Sequence, residues 1–399
     1  MIKIQKNVLI AFLALIIFFE PTYISILPHV GILYNILKLI TALFIFIYFI
    51  KRKKTLSISQ ILVLVGELVV LIFTILNNGQ IESEFLNFIM LGTLVLLIEL
   101  YSDDFISLLE ALMLHFELCI YINLGSLILF PERLFSRSNV AYGATYEWFL
   151  GSRNSFINWL LPGLIIALIY RFYKRKSKRW LCLVVGILVT QLFQTSSTLI
   201  VSSAIILCLT VIPYFNRVFR PTISFCVSMV IQFVIVILNN VQFLAPIVEG
   251  ILGKNLTFTN RTTIWKNAIN HISIFRGYGK LQSTQVAEIL GNFGNYIWNG
   301  ATHAHNQLLS LGFQGGVILV VITLIIYYIA FWKLEHFWNN PIARVYSFGL
   351  FAYIIAGYTE VTNHLLLQLI VILPLVIEKT IITVDDNIQF KRIFLNDKL

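Results

Sequence analysis

The stretch THAHNQLLSLGFQGGVILVVITLIIYYIA, residues 302–330, joins a polar motif to a long apolar run without Asp, Glu, Lys or Arg. An α-helix needs about 20 apolar residues to cross the hydrocarbon core of a bilayer, which is about 30 Å thick. Helices and closed barrels are the structures that cross it, and a continuous run rich in Leu and Ile favours a helix. We therefore predict a membrane-spanning helix over residues 304–330.

The remainder of the chain repeats this pattern. Of its 399 residues, 58% are hydrophobic and 12% are charged, whereas soluble domains carry about 25% charged residues. The composition predicts an all-α polytopic membrane protein that forms a single domain over residues 1–399. About twelve spans are predicted, near residues 8–27, 30–50, 57–76, 85–101, 105–130, 154–172, 180–194, 197–214, 221–247, 304–330, 342–358 and 362–380.

The distribution of Lys and Arg predicts how these spans are oriented. Basic residues are retained on the cytoplasmic side of short loops. The runs KRKK at 51–54, RFYKRKSKR at 171–179 and NRVFR at 216–220 then fall on one side with both termini, which requires an even number of spans. We therefore expect cytoplasmic termini and two longer outer segments, near residues 131–153 and 249–303.

Eight of the 29 basic residues fall in the two outer segments, against the general trend. Long loops cross a membrane regardless of their charge, so these cations are either solvated loop charges or a site for an anionic partner. They are Arg133, Arg137, Arg153, Lys254, Arg261, Lys266, Arg276 and Lys280.

The outer loop 249–303 contains a predicted short amphipathic helix in the stretch NRTTIWKNAINH, which begins at Asn260. Thr259 or Asn260 can cap its start. We expect the helix to lie on the outer membrane surface with Trp265 at the interface and Arg261 at headgroup height, where a guanidinium binds phosphate oxygens in pairs. An ordinary surface helix is the alternative. The predicted apolar face consists of Ile264, Trp265, Ala268, Ile269 and Ile272.

His303, His305 and Asn306 stand at the outer start of the predicted helix 304–330. Residues two apart do not share a helix face, so both histidines cannot point into one pocket if the helix begins this early. Without nearby Cys or Asp a zinc site is disfavoured, and we predict neither a metal nor another cofactor. The helix dipole keeps an imidazole in the first turn neutral, which suits a general base. A capping role for all three residues is the alternative.

Two further outer turns carry candidate residues. Glu360 and His364 lie in YTEVTNH at 358–364 and are candidates for a base or a sugar-binding group. Arg153 lies in GSRN at 151–154. It is a candidate for an anion-binding residue, and an anchor at the start of a helix is the alternative.

Lys38, Glu67, His115 and Glu117 are ionisable residues that lie deep inside predicted spans. Unpaired charges at that depth cost several kcal/mol. Lys38 and Glu67 lie at similar depth, so we predict a structural ion pair between them, with an ion-coupling site as the alternative. His115 and Glu117 lie about halfway through their span.

Four elements, in their order along the chain, resemble the O-antigen ligase and Wzy-type polysaccharide polymerase family of bacterial membrane glycosyltransferases. They cover roughly residues 150–330, and the two in the outer loop 249–303 and directly after it are the more specific. The insert GNFGNYIWNG at 291–300 matches no element of the family. The four elements are GSRN at 151–154, TSST at 195–198, NRTTIW with RGYG across 260–279, and HAHNQLLSLGFQGG at 303–316.

The resemblance implies a metal-independent enzyme that acts on glycans linked to a polyprenyl pyrophosphate at the outer face of the bacterial cytoplasmic membrane. It implies that Arg261 binds the pyrophosphate and that His305 deprotonates the acceptor hydroxyl. The expected partners are the lipid-linked oligosaccharide, membrane lipid, a flippase and a chain-length regulator, but no nucleic acid. We also expect substrate-binding roles for Arg153, Arg276, His303, Asn306 and Glu360.

Three functions remain open at this point. The first is polymerisation of repeat units into capsular, O-antigen or exopolysaccharide chains, and the second is ligase-type transfer of a finished glycan to a lipid or protein. The third is transport of polysaccharide or lipid-linked oligosaccharide. Polar motifs on one side of the membrane, without internal repeat symmetry, favour an enzyme. A transporter would have to use Lys38, Glu67, His115 and Glu117.

Overall fold

The computed structural model of the chain describes residues 5–139, 143–194, 196–238, 250 and 261–381. The end of the predicted span 221–247, Lys254, the predicted cap residues Thr259 and Asn260, and the carboxy-terminal tail lie outside the described residues.

The described part of the chain is mainly helical. Its helices are α1 (Lys6–Phe18), α2 (Thr22–Ser25), α3 (Val30–Lys51), α4 (Ile58–Leu76), α5 (Ile81–Leu100), α6 (Phe105–Leu129), α7 (Ile157–Tyr173), α8 (Arg179–Phe193), α9 (Ser197–Val211), α10 (Phe215–Val218), α11 (Pro221–Gln232), α12 (Arg261–His271), α13 (Ser283–Leu290), α14 (Gln307–His336), α15 (Pro341–Ala356) and α16 (Leu365–Leu375).

Five of these helices are long and apolar enough to cross a membrane, namely α3, α4, α5, α6 and α14. Seven shorter apolar helices of 10–17 residues fall in the other predicted spans. The first span is shorter than predicted, because α1 ends at Phe18 before Glu20 and Pro21, and Pro21 starts the separate turn α2. A proline fixes its own φ and disfavours helix at the residue before it, so the run cannot continue as one helix.

The helices pack around α7, whose apolar residues are nearly all buried and which contacts α6, α8, α9, α15 and α16. In contrast, α3 exposes long apolar side chains such as Ile32, Leu43 and Phe44 along most of its length. Contiguous apolar surface of this extent is typical of a helix that faces lipid or a partner. The interior and the apolar exterior of the fold are therefore both built from helices with few charged residues.

The outer segment 131–153 departs from the all-α prediction. It forms an antiparallel hairpin of β1 (Phe135–Asn139) and β2 (Gly143–Glu147), in which Phe135 pairs with Glu147. Arg137 lies 3.6 Å from Glu147 across the two strands, so this cation, predicted to lie outside, has an acidic partner within its own loop.

Helix α14 is broken at Gly316, where φ is 68° and ψ is −172°. The break leaves backbone groups without helical partners, and the loop segment 273–279 pairs with them. Tyr278 N–H donates to the carbonyl of Phe313 over 2.9 Å, and Val317 N–H donates to the carbonyl of Ser273 over 3.0 Å. A backbone inserted at this depth requires such pairing because unpaired polar groups are costly in an apolar environment. The helix observed in place of the predicted unbroken helix 304–330 therefore starts and ends later than predicted. It is also broken at Gly316, where the segment 273–279 packs against it.

The predicted ion pair between Lys38 and Glu67 is wrong. Lys38 Nζ lies 2.8 Å from Glu20 Oε2, and Glu67 lies beside Glu84 of α5. Similar depth in two spans does not fix which faces of the helices meet, and Glu20 enters from the end of the first apolar run. Of the other two candidates, Glu117 accepts from Arg179, and His115 packs among aromatic rings with its Nδ1 unpartnered among the described residues.

Candidate functional site

The turn between α15 and α16, residues 357–364, holds the start of α14 in place. Asn306 caps α14 by accepting from Leu309 N–H, and its side-chain amide donates to the carbonyl of Tyr358, each over 2.9 Å. Gln307 accepts from the N–H of Thr362 over 2.7 Å and donates its own N–H to the carbonyl of Gly357. Asn306 is fully buried. Its contacts make it a cap that fixes this turn, which is the alternative role considered for it above.

Arg261, the first residue of α12, reaches the same turn. Its Nη2 lies 2.9 Å from Glu360 Oε1, and its Nη1 donates to the carbonyl of Thr359. The hydroxyl of Thr198, from the TSST motif, lies 3.4 Å from that of Thr359. Two elements that are far apart in sequence, at 198 and 261, thus meet at one turn. Thr359 contacts both elements, and no pattern in the sequence singles this residue out.

His303 and His305 lie side by side, with ring centroids 4.1 Å apart. They were expected to diverge only if the helix included them, and this condition is not met, because α14 begins at Gln307 and both histidines precede it. His305 has φ of 48°, a left-handed conformation that is uncommon for a side chain of this size. Its backbone N–H donates to His303 Nδ1 over 3.1 Å. The left-handed turn brings both rings to one side of the chain.

Neither ring nitrogen of His305 has a hydrogen-bond partner among the described residues, although both are buried. Burial, then the neighbouring His303 and Arg261, lower the pKa of His305 well below its ordinary value of about 6.5. Burial and the charge of Arg261 lower the pKa of His303 to about 4. Both imidazoles are therefore neutral at physiological pH. We refer to His303, His305, Arg261 and Glu360 as the His–Arg cluster.

The insert 291–300 borders this cluster. Trp298 stacks near-parallel to His305, with centroids 6.4 Å apart and an angle of 17° between the rings. The sequence offered no signal for this contact beyond the aromatic content of the insert. A cavity of about 220 Å³ opens on the other ring, His303, and is lined by polar groups of Gln80, Lys280 and Thr302 together with Ser283, Ser310 and Gln314.

The remaining two predicted site residues lie apart from the cluster. Arg153 is exposed, in a loop that is fixed to α2 by the hydrogen bond from Thr22 to the Leu150 carbonyl. Arg276 is exposed within the segment 273–279 that pairs with the break of α14, next to the exposed side chains of Ile274 and Phe275. Neither arginine forms a salt bridge within the described ranges.

The predicted membrane-surface helix is also corrected by the structure. The apolar face of α12 is buried within the protein: Ile264, Trp265 and Ala268 are at most 1% exposed, and the helix packs on α13 and α14. Trp265 therefore does not lie at the lipid interface. Burial of this face fixes α12 and so fixes the direction in which Arg261 leaves it.

Where side chains are described, no group of three or more His, Cys, Asp or Glu residues is placed to hold a metal ion. By its fold the chain is a helical protein with several helices that can cross a membrane. No model of a known protein family matches the chain, and no curated protein or solved structure matches it either.

Proposed function

We propose that the chain is a metal-independent glycosyltransferase that joins polyprenyl-pyrophosphate-linked repeat units into capsular, O-antigen or exopolysaccharide chains. The observation that carries this proposal is the placement of a neutral histidine, His305, with unpartnered ring nitrogens in one cluster with the guanidinium of Arg261. Displacing a sugar from pyrophosphate needs a base for the attacking hydroxyl and positive charge for the leaving group. The His–Arg cluster supplies both.

In this proposal twelve helical segments cross a bacterial cytoplasmic membrane, both termini are cytoplasmic, and the cluster faces outside. The basic runs at 51–54, 171–179 and 216–220 support this orientation. The cluster is assembled at the start of α14 and in the turn before α16, which are ends of segments on the side opposite those basic runs. A flippase would supply the lipid-linked units to this side, and a chain-length regulator is a further expected partner.

The transfer step follows from the residues present. A ring nitrogen of His305 takes the proton of the acceptor hydroxyl while that oxygen forms a bond to the anomeric carbon of the donor sugar. The bond between that carbon and the pyrophosphate oxygen breaks, and its electron pair leaves with the carrier pyrophosphate. Arg261 balances the added negative charge, with Glu360 and the Thr359 carbonyl holding the guanidinium in place. His305 then releases its proton to water.

Burial, the neighbouring His303 and the positive charge of Arg261 together make His305 a weak base before the donor is bound. A pyrophosphate beside Arg261 offsets that charge, so donor binding raises the pKa of His305 and strengthens it as a base. In this way proton removal from the acceptor is coupled to the presence of the donor. The cavity beside His303 is lined by apolar side chains such as Val286 and Phe313 as well as by polar ones. It is smaller than typical drug-sized pockets of about 300–1,000 Å³, which suits one acceptor sugar ring.

Two of the four residues that a transporter would have to use argue against that alternative. Lys38 is paired with Glu20 and Glu117 with Arg179, so these groups are engaged in structural pairs. The ligase alternative uses the same His–Arg cluster and differs in the acceptor. The two enzyme activities are therefore separated by their products.

The test is the size of the polysaccharide in a deletion strain that carries wild type, His305→Ala or Arg261→Ala at matched membrane levels. The proposal predicts long chains with wild type and single carrier-linked repeat units with both variants. Long carrier-linked chains that never reach a final acceptor would identify a ligase. Normal polymer with both variants would refute a catalytic role of the cluster.

A further inference from the structure

The insert 291–300, GNFGNYIWNG, is a folded unit although it lacks a helix of its own. Trp298 N–H donates to the carbonyl of Gly291 over 2.8 Å, and Phe293 N–H donates to the carbonyl of Tyr296 over 3.0 Å. The side chain of Asn292 accepts from the N–H of Gly294 over 2.9 Å. These bonds close a tight turn that presents the side chains between them in fixed directions.

The insert is also fixed to the helix that carries Arg261. The side-chain amide of Asn267, on α12, donates to the carbonyls of Leu290 and Asn292 over 2.9 and 2.8 Å. At the other end of the insert Trp298 stacks on His305. One end of the turn is thus fixed to the helix that carries Arg261, and the other end contacts His305. These are the two residues that the proposed transfer reaction needs.

The turn presents an aromatic surface. Phe293 and Tyr296 lie nearly parallel, at 6° with centroids 5.3 Å apart, and Phe293 meets Trp298 edge-on at 6.5 Å. Tyr296 is 57% exposed. The aromatic surface therefore runs from solvent-exposed Tyr296 through Phe293 and Trp298 to His305.

Exposed amides surround these rings, because Asn292, Asn295 and Asn299 are all exposed in the same turn. A pyranose ring has an apolar C–H face, which packs on an aromatic ring, and a rim of hydroxyl groups, which amides bind as donor and acceptor at once. The insert contains no charged residue. Basic residues accompany most surface segments that bind anionic lipid headgroups, so the composition favours a neutral glycan over a membrane surface.

We infer that the aromatic surface of Phe293, Tyr296 and Trp298 is a glycan-binding platform that holds successive sugar rings of the chain on the path to His305. This inference rests on the proposed function and adds a subsite to it. The platform determines affinity for the glycan, whereas His305 and Arg261 determine transfer. Loss of the platform therefore weakens binding of a glycan that has no lipid carrier at all.

The test uses the full-length protein in nanodiscs and measures calorimetric binding of a carrier-free oligosaccharide of two repeat units, released from the producing strain's polysaccharide. The variants are Tyr296→Ala, Tyr296→Phe, which keeps the ring, and Ile297→Ala, which removes a similarly exposed apolar side chain next to it. We expect Tyr296→Ala to weaken binding about tenfold, the change that about 1.4 kcal/mol gives. Tyr296→Phe and Ile297→Ala are expected to stay within about twofold of wild type, because neither removes a ring.

Equal affinity of wild type and Tyr296→Ala for the oligosaccharide would overturn the platform. So would a wild-type protein that elongates chains but does not bind the oligosaccharide. If Tyr296→Ala and Ile297→Ala both reduce the folded fraction in nanodiscs while glycan affinity is unchanged, the rings contact lipid instead, which also overturns it. His305→Ala separates the two proposals, since it is expected to bind glycan normally. Ring-dependent binding in a protein that transfers no sugar would sustain the platform and refute the proposed function.

Discussion

Arg261 and Glu360, nearly a hundred residues apart in sequence, join the first residue of α12 to the turn before α16, with Nη2 and Oε1 separated by 2.9 Å. Each side chain is 20% exposed. The pair is thus sheltered but still reached by solvent, and its carboxylate orients a guanidinium whose charge also acts on both histidines.

Substitutions of Arg261 and of Glu360 are predicted to lower the transfer rate to different extents. We expect Arg261→Ala to lower the transfer rate by about 10²-fold or more, since one group that stabilises developing charge is worth about that much. Arg261→Lys keeps a charge but loses the two-point contact, and should recover only part of the rate. Glu360→Gln keeps a hydrogen-bond acceptor for the guanidinium and should lower the rate by about tenfold at most. A larger loss in Glu360→Gln than in Arg261→Ala would mean that the carboxylate itself reacts.

His305→Ala is expected to lower the transfer rate by about 10²–10⁴-fold, the contribution of a positioned general base. The matched control is His271→Ala, because His271 is exposed at the end of α12 and its ring contacts the carbonyl of Asn267. That variant should keep wild-type rates. Equal rates for His305→Ala and His271→Ala would assign His305 to a structural role.

The lowered pKa values predict a particular pH dependence of stability. The folded-state pKa of His303 is about 4, below the unfolded value of about 6.5. Between these values the unfolded chain binds more protons, so the free energy of unfolding decreases as pH falls from about 6.5 to 4. His303→Gln should reduce this slope when thermal midpoints are measured across that range. An unchanged slope would indicate that other groups control acid sensitivity.

The coupling of donor and base predicts a difference between two kinetic profiles. The pH dependence of kcat/KM reports groups in the free enzyme, and that of kcat reports the same groups with substrates bound. Because bound pyrophosphate offsets the charge of Arg261, the acid limb of kcat should lie at higher pH than that of kcat/KM. In Arg261→Ala the two limbs should move together, and a persistent separation there would contradict the coupling.

The inserted segment predicts which glycines are essential for the fold. Gly279 has φ of 62°, and a Cβ atom there would lie 2.2 Å from the backbone nitrogen of Thr74. We expect Gly279→Ala to destabilise the protein by roughly 2–4 kcal/mol, through backbone strain and overpacking. The control is Gly125→Ala in α6, where a Cβ atom meets nothing within 4 Å. Similar thermal midpoints for both variants would show that the segment is not clamped between α4 and α14.

Most of the helical fold was predictable, because long apolar runs with Lys and Arg at their ends are compatible with few structures other than helices. The break of α14 was not, since Gly315 and Gly316 are compatible with a continuous helix and the break depends on backbone pairing with residues 273–279. The partner of Lys38 was missed for a related reason. Depth along a span is encoded locally, whereas the rotation of each helix is set by packing.

Some residues of the candidate site were predictable from the sequence, but its geometry was not. His305 and Arg261 were identified from a motif and a resemblance, and the structure brings them and Glu360 together. The side-by-side histidines follow from the left-handed φ of His305, a conformation that is uncommon for residues other than glycine and that no local sequence pattern signals here. Trp298 and Thr359 were missed because their roles depend on tertiary contacts alone.

The most direct test of the proposed function is a reconstituted reaction in proteoliposomes that contain the purified protein and purified polyprenyl-pyrophosphate-linked repeat units, with no other protein. The products are resolved by size, and release of the carrier pyrophosphate is measured alongside. We predict that wild type forms carrier-linked chains of two and more repeat units and releases one carrier pyrophosphate per bond formed, and that His305→Ala and Arg261→Ala do neither. Elongation by His305→Ala at the wild-type rate, or no elongation by folded wild type, would contradict the account.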